Sequence, residues 1–211
     1  PREYSSAASD VYKRQSQLLD ASASLIPWSP RASRIPLASI RHYPDRGHAL
    51  IRRLLGALHG LEFSFLLPGN GAAELFTWAA HDAAEQGLSV LAAPGFADYK
   101  RALRCWSATS RQQQLPLLWD EAFPQPFPDA GEGSVLWICN PHNPTGQLWC
   151  RASLQPLLER YALVICDEAF LPLVPNGEQQ SLIPLVAEHS NLVVIRSCLL
   201  YTSDAADEYS R

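Results

Sequence analysis

The sequence predicts an α/β fold, a parallel-type sheet with helices on both faces. Short segments that are apolar throughout alternate along the chain with segments whose apolar residues recur at helical spacing. Uniformly apolar strands are typical of a parallel sheet that is covered on both sides. In addition, turn-forming sequences rich in Gly, Pro and Asn follow directly after several predicted strands. In such sheets, ligands bind outside the carboxyl ends of the strands.

The first predicted element is a helix at 46–59, which stops at Gly60. The predicted elements that follow are strands at 63–67, 88–93, 134–139, 163–166 and 192–195, and helices at 72–85, 98–106, 153–161 and 182–188. We expect residues 112–130, with three prolines after Glu121, to be irregular and to lie at the surface.

The composition excludes several classes of protein. A hydrophobic content of 47% allows a core of one domain, and the net charge of −4 without a basic cluster argues against binding to nucleic acid or an anionic membrane. No apolar run reaches the roughly 18 residues of a membrane span. No cysteine belongs to a CxxC pair, so we expect buried thiols of a reducing, cytoplasmic compartment; the four considered are Cys105, Cys139, Cys150 and Cys166.

The two ends of the chain share an unusual relationship. Residues 5–15 (SSAASDVYKRQ) and 198–208 (CLLYTSDAADE) can be encoded by one DNA segment read in opposite orientations, and that segment resembles the end of a sequencing-library transposon. The sequence also contains no methionine. We therefore expect residues 1–15 and 198–211 to be non-native, residues 16–45 to form an N-terminal arm, and residues 46–197 to form the folded domain.

Four short motifs follow predicted strands: GNGAAE at 69–74, PGFADY at 94–99, NPHNPTG at 140–146 and DEAF at 167–170. The first precedes a helix, whose free N–H groups and dipole could hold a phosphate, although such turns also serve as plain connections. The third is rich in the residues that form turns. A dinucleotide-binding domain would need a third glycine in the first motif, which is absent.

In order and spacing, these motifs resemble the class I/II aminotransferase-like family of pyridoxal-phosphate enzymes, over about residues 19–197. The stretches LDASASLIPWSP, YPDR and GNGAAELFTWA look most like the threonine-phosphate decarboxylase branch, which is close to histidinol-phosphate aminotransferase. The resemblance implies that residues 46–197 are part of the cofactor-binding large domain of the aspartate-aminotransferase fold (fold type I). It also implies pyridoxal 5'-phosphate as cofactor, a phosphorylated amino-acid substrate and a homodimer.

The resemblance also assigns cofactor contacts. Asp167 matches the carboxylate that keeps the cofactor's pyridine nitrogen protonated, since a nearby carboxylate favours a charged partner. Asn143 matches the asparagine that hydrogen-bonds the phenolic oxygen, and the phosphate would lie against Gly71, Ala72 and Ala73.

An aromatic ring from PGFADY would stack on the pyridine ring. Phe96 is the first choice for it and Tyr99 the second, with core packing as the alternative. Tyr43 matches a tyrosine that reaches the phosphate in the neighbouring subunit, and otherwise would anchor a loop. Arg196 and Ser197 begin an RSLTK-like segment, and Ser197 is counted with the cofactor-binding residues.

Three positions depart from the family pattern. Phe170 replaces the tyrosine common in DEAY, which removes a second hydrogen bond to the phenolic oxygen. His142 stands where the family often has asparagine, and we do not count it as a site residue. The lysine that forms the Schiff base would fall at Leu200, so we name no catalytic residue.

The predicted function is therefore that of an incomplete pyridoxal-phosphate-dependent L-threonine-O-3-phosphate decarboxylase of cobalamin biosynthesis, inactive as it stands. A histidinol-phosphate aminotransferase-like transaminase is the alternative within the family. A protein that binds pyridoxal phosphate without catalysis is the alternative from another class.

Overall fold

The computed structural model describes residues 43, 45–116 and 123–197. The predicted terminal segments 1–15 and 198–211, with Leu200, lie outside the described residues, as does the N-terminal arm apart from Tyr43 and Asp45.

Five parallel strands form one sheet in the order β2-β1-β3-β4-β5, which confirms the predicted sheet type. The strands are β1 (Ser89–Ala93), β2 (Ser110–Gln114), β3 (Val135–Cys139), β4 (Leu163–Asp167) and β5 (Leu192–Ile195). The two central strands β3 and β4 are buried along their whole length, as their apolar sequences predict. Their register places Cys139 opposite Asp167, so both strands end at the same level.

The α-helices are α1 (Ala49–His59), α2 (Ala72–Gln86), α3 (Asp98–Cys105), α4 (Arg151–Leu154) and α5 (Leu157–Arg160). Helix α1 ends as predicted at Gly60, whose φ of 67° is a left-handed conformation that glycine adopts without strain. Short 3₁₀ helices cover Phe63–Phe65, Leu171–Leu173, Gly177–Gln180 and Ile183–Leu185.

Alternate side chains of the strands face two separate apolar cores. On one face, α2 and α3 cover the sheet, and the core contains Phe76, Ala80, Leu103, Trp137 and Ile165. On the other face, α4, α5 and the chain before β5 cover it, and the core contains Leu136, Ile138, Leu154, Leu158 and Leu182. This arrangement confirms the prediction of helices on both faces.

Two strand predictions are wrong. Residues 63–67 form a 3₁₀ helix at Phe63–Phe65 and not a strand, and both phenylalanine side chains are exposed. No strand among the described residues lies beside this segment, so an extended backbone would leave its polar groups unpaired. Conversely, residues 112–114, predicted to be irregular, belong to β2, and Leu115 and Ala130 are buried.

Two helix predictions hold only in part. The segment 153–161 is divided into α4 and α5, which meet at Pro156, where a continuous helix would lose a hydrogen bond. The segment 182–188 contains a single 3₁₀ turn with Pro184 in its first positions. The cysteine prediction also holds only in part. Cys139 and Cys166 are buried as predicted, whereas Cys105 is exposed. All four cysteines in the described ranges are free thiols.

Within the part of the chain that the structure describes, no helix is long and apolar enough to cross a membrane. The same residues contain no group of three or more His, Cys, Asp or Glu side chains that could hold a metal ion.

Candidate functional site

The carboxyl ends of four strands bring the predicted motifs to one edge of the sheet. Because all strands run in parallel, the segments that begin at Pro94, Asn140, Glu168 and Arg196 leave the sheet on the same side. The motif GNGAAE is an exception to the prediction, because it follows a 3₁₀ helix and not a strand. The predicted convergence of PGFADY, NPHNPTG and DEAF is observed.

Asp167 is the buried carboxylate at the centre of this edge. Its side chain is 5% exposed and accepts two hydrogen bonds, from the Tyr99 hydroxyl to Oδ2 at 2.6 Å and from the Ala169 N–H to Oδ1 at 2.9 Å. Burial raises the pKa of Asp167 above its ordinary value, and the two hydrogen bonds oppose this shift. No ion pair is found for Asp167 among the described residues.

Tyr99 lies in a cluster of aromatic rings. Its ring centroid is 5.0 Å from that of Phe76, 5.3 Å from that of Trp137 and 5.6 Å from that of Phe96. Burial is the largest cause that raises the pKa of the Tyr99 phenol, so the phenol stays neutral and donates to Asp167. Phe96 is 41% exposed, and so it has a free surface against which a planar ligand could stack.

The start of α2 has the backbone features of an anion-binding turn. Gly71 is its N-cap with a φ of 77°, a conformation that favours glycine, and Ala72 and Ala73 form the first helical positions. The N–H groups of a first helical turn have no partner within the helix. One nearby N–H group is already engaged, since Asn70 donates to Oε2 of Glu74 at 2.6 Å.

The turn NPHNPTG is stabilised by hydrogen bonds within the motif and to Trp149, and it forms one side of a cleft. The Asn140 side chain is bonded in both directions to the backbone of Trp149, at 3.1 and 2.8 Å, and the Gly146 N–H donates to the His142 carbonyl at 2.7 Å. A cleft of about 290 Å³ lies beside the turn. It is lined by Pro141, His142, Asn143, Pro144, Gly146, Phe170, Leu173 and Val174. Asn143 therefore faces this cleft together with Phe170, whereas Asp167 does not line it.

A buried ion pair beside Asp167 was not predicted. Glu168 has no exposed side-chain surface, and Arg196 pairs with it at 2.8 Å and with the more exposed Glu178 at 2.8 Å. Glu168 also accepts hydrogen bonds from the Ser181 hydroxyl at 2.8 Å and the Leu182 N–H at 2.7 Å. This network holds the end of β5, where Ser197 is buried. The acidic pair in DEAF was the only sequence signal for it.

The structure thus brings some of the predicted residues together and separates others. Asp167, Tyr99 and Phe96 form a connected group through hydrogen bonding and ring contacts. Phe76 of α2 touches both rings and links this group to the helix that begins after Gly71. Tyr43 is fully exposed.

Comparison with known proteins decides the family. Residues 37–198 match the family described as aminotransferase class I and II. The chain belongs to this family. Its membership confirms the resemblance stated from the four motifs.

Two curated relatives illustrate the likeness. Threonine-phosphate decarboxylase of Salmonella typhimurium is 32% identical over 198 residues, which cover 86% of this chain and 52% of that protein. Histidinol-phosphate aminotransferase of Bacillus velezensis is 30% identical over 162 residues, covering 74% of this chain and 44% of that protein. The chain spans about half the length of the curated relatives it matches.

Solved structures confirm the fold. L-threonine-O-3-phosphate decarboxylase from Porphyromonas gingivalis has a TM-score of 0.61 and 24% identity, over 76% of this chain and 50% of that one. Histidinol-phosphate aminotransferase from Sinorhizobium meliloti, determined in complex with pyridoxal-5'-phosphate, has a TM-score of 0.61 and 16% identity, over 80% and 47%. The family membership confirms pyridoxal phosphate as the predicted cofactor.

Proposed function

We propose that the chain is part of a pyridoxal-phosphate-dependent L-threonine-O-3-phosphate decarboxylase. The observation that carries the proposal is Asp167, a buried carboxylate at the carboxyl end of β4 without an ion-pair partner among the described residues. A buried carboxylate of this kind fits a cationic ring nitrogen, because each charge reduces the cost of burying the other.

Other residues of the candidate site fit the remaining groups of the cofactor. Asn143 would donate from its side-chain amide to the phenolic oxygen, and the first turn of α2, after Gly71, would hold the phosphate. The exposed ring of Phe96 would stack on the pyridine. Bound pyridoxal phosphate would supply an electron sink for the electron pair left when a bond to the substrate α-carbon breaks.

The hydroxyl of Tyr99 keeps Asp167 in place and stabilises its ionised form. Asp167 would then hold the proton on the pyridine nitrogen, and burial excludes water that would weaken this interaction. We assign Ser197 to the cofactor-binding residues as well, because Arg196 and Ser197 match the RSLTK-like segment of the family.

The substrate class rests on the relatives. The match to a threonine-phosphate decarboxylase covers 86% of this chain, which supports a phosphorylated amino acid as substrate and a role in cobalamin biosynthesis. A transaminase like histidinol-phosphate aminotransferase is the second candidate, supported by a 30% identical relative. We further propose a cytoplasmic homodimer in which the fully exposed Tyr43 reaches the partner subunit's cofactor phosphate.

Cofactor binding is tested on the chain itself. Titration with pyridoxal phosphate, followed by absorbance and circular dichroism, should show saturable and reversible binding that Asp167→Asn weakens. Glu85→Gln serves as a control, because it removes an exposed carboxylate near the end of α2, outside the proposed site. Equal affinity of Asp167→Asn and the unsubstituted chain would refute the assignment of Asp167.

We further propose that neither lysine of this chain forms a Schiff base with the cofactor, and reduction with borohydride tests this. Lys13 and Lys100 are its two lysines, and Lys100 lies on α3 next to Arg101. After borohydride reduction and peptide mapping, we expect no stoichiometric pyridoxyl adduct and no product from phosphothreonine. In the full-length protein encoded by the source gene, we expect CO₂ release from phosphothreonine. Amino transfer from histidinol phosphate without CO₂ release would instead favour the transaminase.

A further inference from the structure

His142 joins two loops of the candidate site. It belongs to the turn after β3, is 3% exposed and lines the same cleft as its neighbour Asn143. Its Nε2 atom lies 2.7 Å from the carbonyl oxygen of Pro94, in the loop after β1. Pro94 opens the motif that carries Phe96, so one partly buried hydrogen bond connects the two motifs across a sequence distance of 48 residues.

The chemistry of this contact fixes the protonation of the ring. A carbonyl oxygen can only accept, so Nε2 carries the hydrogen. Burial lowers the pKa of His142, which keeps the ring neutral near pH 7 and leaves Nδ1 without a proton. In agreement with this, the Nδ1 atom of His142 has no hydrogen-bond partner among the described residues. The centroid of the imidazole ring lies 6.1 Å from that of the Trp149 ring. The only hydrogen bond that the imidazole ring makes within the described part of the chain is the one to Pro94.

We propose that His142 is a positioning residue that holds the loop carrying Phe96 against the loop carrying Asn143. The inference rests on the proposed function, in which Phe96 stacks on the cofactor ring and Asn143 bonds its phenolic oxygen. These two contacts act on one rigid ring from loops that follow different strands. Their relative position therefore determines whether both contacts form together, and small displacements weaken such a site strongly.

The remaining connections between these loops are less direct. Each loop is anchored to its own strand, and strands β1 and β3 are paired only over Ser89–Leu91 and Val135–Trp137, below their carboxyl ends. Beyond this pairing, the bond from His142 to Pro94 connects the two loops at the edge where the site lies. Asparagine has a shorter side chain and would not reach Pro94 from the same position.

Two substitutions separate the role of Nε2 from that of the ring as a whole. In His142→Gln the side-chain amide nitrogen lies close to the position of Nε2 and can still donate to Pro94. In His142→Asn the amide group lies close to the position of Nδ1, so the donor to Pro94 is lost. His81→Asn, at an exposed histidine on α2, controls for a general effect of histidine removal.

The readouts are pyridoxal-phosphate affinity, the circular dichroism induced in the cofactor band at saturation, and the free energy of unfolding in urea. We expect His142→Asn to weaken affinity roughly tenfold, the effect of one hydrogen bond, and to change the induced signal per bound cofactor. His142→Gln and His81→Asn should retain both. Each affinity is compared with the unfolding free energy of the same variant.

Any other pattern overturns the inference. If both His142 variants retain affinity, the contact does not position the site. If both His142 variants lose affinity, loss of the donor at Nε2 does not explain the effect, whether or not the free energy of unfolding also falls. A ¹⁵N spectrum of His142 provides an independent check, since a proton on Nδ1 with none on Nε2 would exclude the bond to Pro94. Failure of the unsubstituted chain to bind cofactor would contradict the proposed function and not this contact.

Discussion

The Tyr99 hydroxyl and the Asp167 carboxylate form a 2.6 Å hydrogen bond between two buried side chains that are 68 residues apart in sequence. Tyr99 lies three residues after Phe96, so the short segment that leads into α3 supplies both an exposed ring and a donor to this carboxylate. The bond satisfies an acceptor that burial would otherwise penalise. PGFADY therefore contributes a hydrogen-bond donor to Asp167, in addition to the stacking ring that we propose.

Removal of the Tyr99 hydroxyl should reduce stability and disturb Asp167. We expect Tyr99→Phe to lower the free energy of unfolding by about 1–3 kcal/mol, because Oδ2 of Asp167 is left buried without a donor. The control is Tyr161→Phe, which deletes the same atom from another buried tyrosine. The acceptor of Tyr161, the Gly131 carbonyl, keeps a hydrogen bond from Arg160 at 2.9 Å. Equal losses in urea unfolding for the two variants would contradict this account.

The free energy of unfolding should depend on pH because Asp167 titrates differently in the folded and unfolded states. Burial raises its folded-state pKa above the unfolded value, so the folded state binds the proton more tightly. The resulting stabilisation is complete below the unfolded pKa of about 3.9 and is lost as the pH rises through the folded pKa. We compare Asp167→Asn with the unsubstituted chain, both without cofactor. As the pH rises through this window, we expect the unsubstituted chain to lose stability relative to Asp167→Asn. A difference that is independent of pH would show that Asp167 has an ordinary pKa.

The ion pair of Glu168 and Arg196 should be costly to break from one side. Arg196→Met leaves Glu168 fully buried without its cation, and we expect a loss of about 3–5 kcal/mol in urea unfolding. Glu178→Gln changes the more exposed partner of Arg196 and should cost about 0–1 kcal/mol. The double variant Glu168→Gln with Arg196→Met should lose less than Arg196→Met alone. A double variant that is less stable than Arg196→Met would mean that the uncompensated charge is not the cause.

The sequence predicted strands β1, β3, β4 and β5 and missed the edge strand β2. Strands β3 and β4 are buried on both faces and therefore consist of apolar residues, which made them recognisable. Strand β2 escaped prediction because its sequence, SRQQQ, has no apolar residue; four of its five side chains are exposed at the sheet edge. The segment 63–67 showed the opposite error, since alternating phenylalanines favour a strand only where a partner strand is present.

An exposed apolar surface on α1 yields a further prediction. Leu50, Leu54 and Leu58 lie one turn apart and are 72%, 62% and 73% exposed, so they form a stripe on one side of the helix. Such contiguous apolar surface favours association and dye binding. We expect the triple replacement of these leucines by glutamine to lower the fluorescence of a hydrophobic dye and to reduce self-association in sedimentation experiments.

A matched double variant, Asp82→Asn with Glu85→Gln, changes exposed polar positions on α2 and should leave dye fluorescence and sedimentation unaltered. Dye binding that persists after removal of the three leucines would place the responsible surface elsewhere.

The candidate site was predictable as a set of motifs but not as a set of contacts. Parallel strands place the ends of β1, β3 and β4 together, so the convergence of three motifs followed from the fold class. The pairing of Tyr99 with Asp167 depends on side-chain directions that no local pattern encodes. The same holds for His142, whose partner is a backbone carbonyl and therefore leaves no mark in the sequence.

The two outer strands of the sheet differ in what a neighbouring strand would gain from them. Each has a paired strand on one side only among the described residues. A strand added beside β2 would cover Arg and Gln side chains that are already hydrated, and would bury almost no apolar surface. A strand added beside β5 would cover Val193 and Val194, which are only partly buried. An additional strand would therefore bury more apolar surface beside β5 than beside β2.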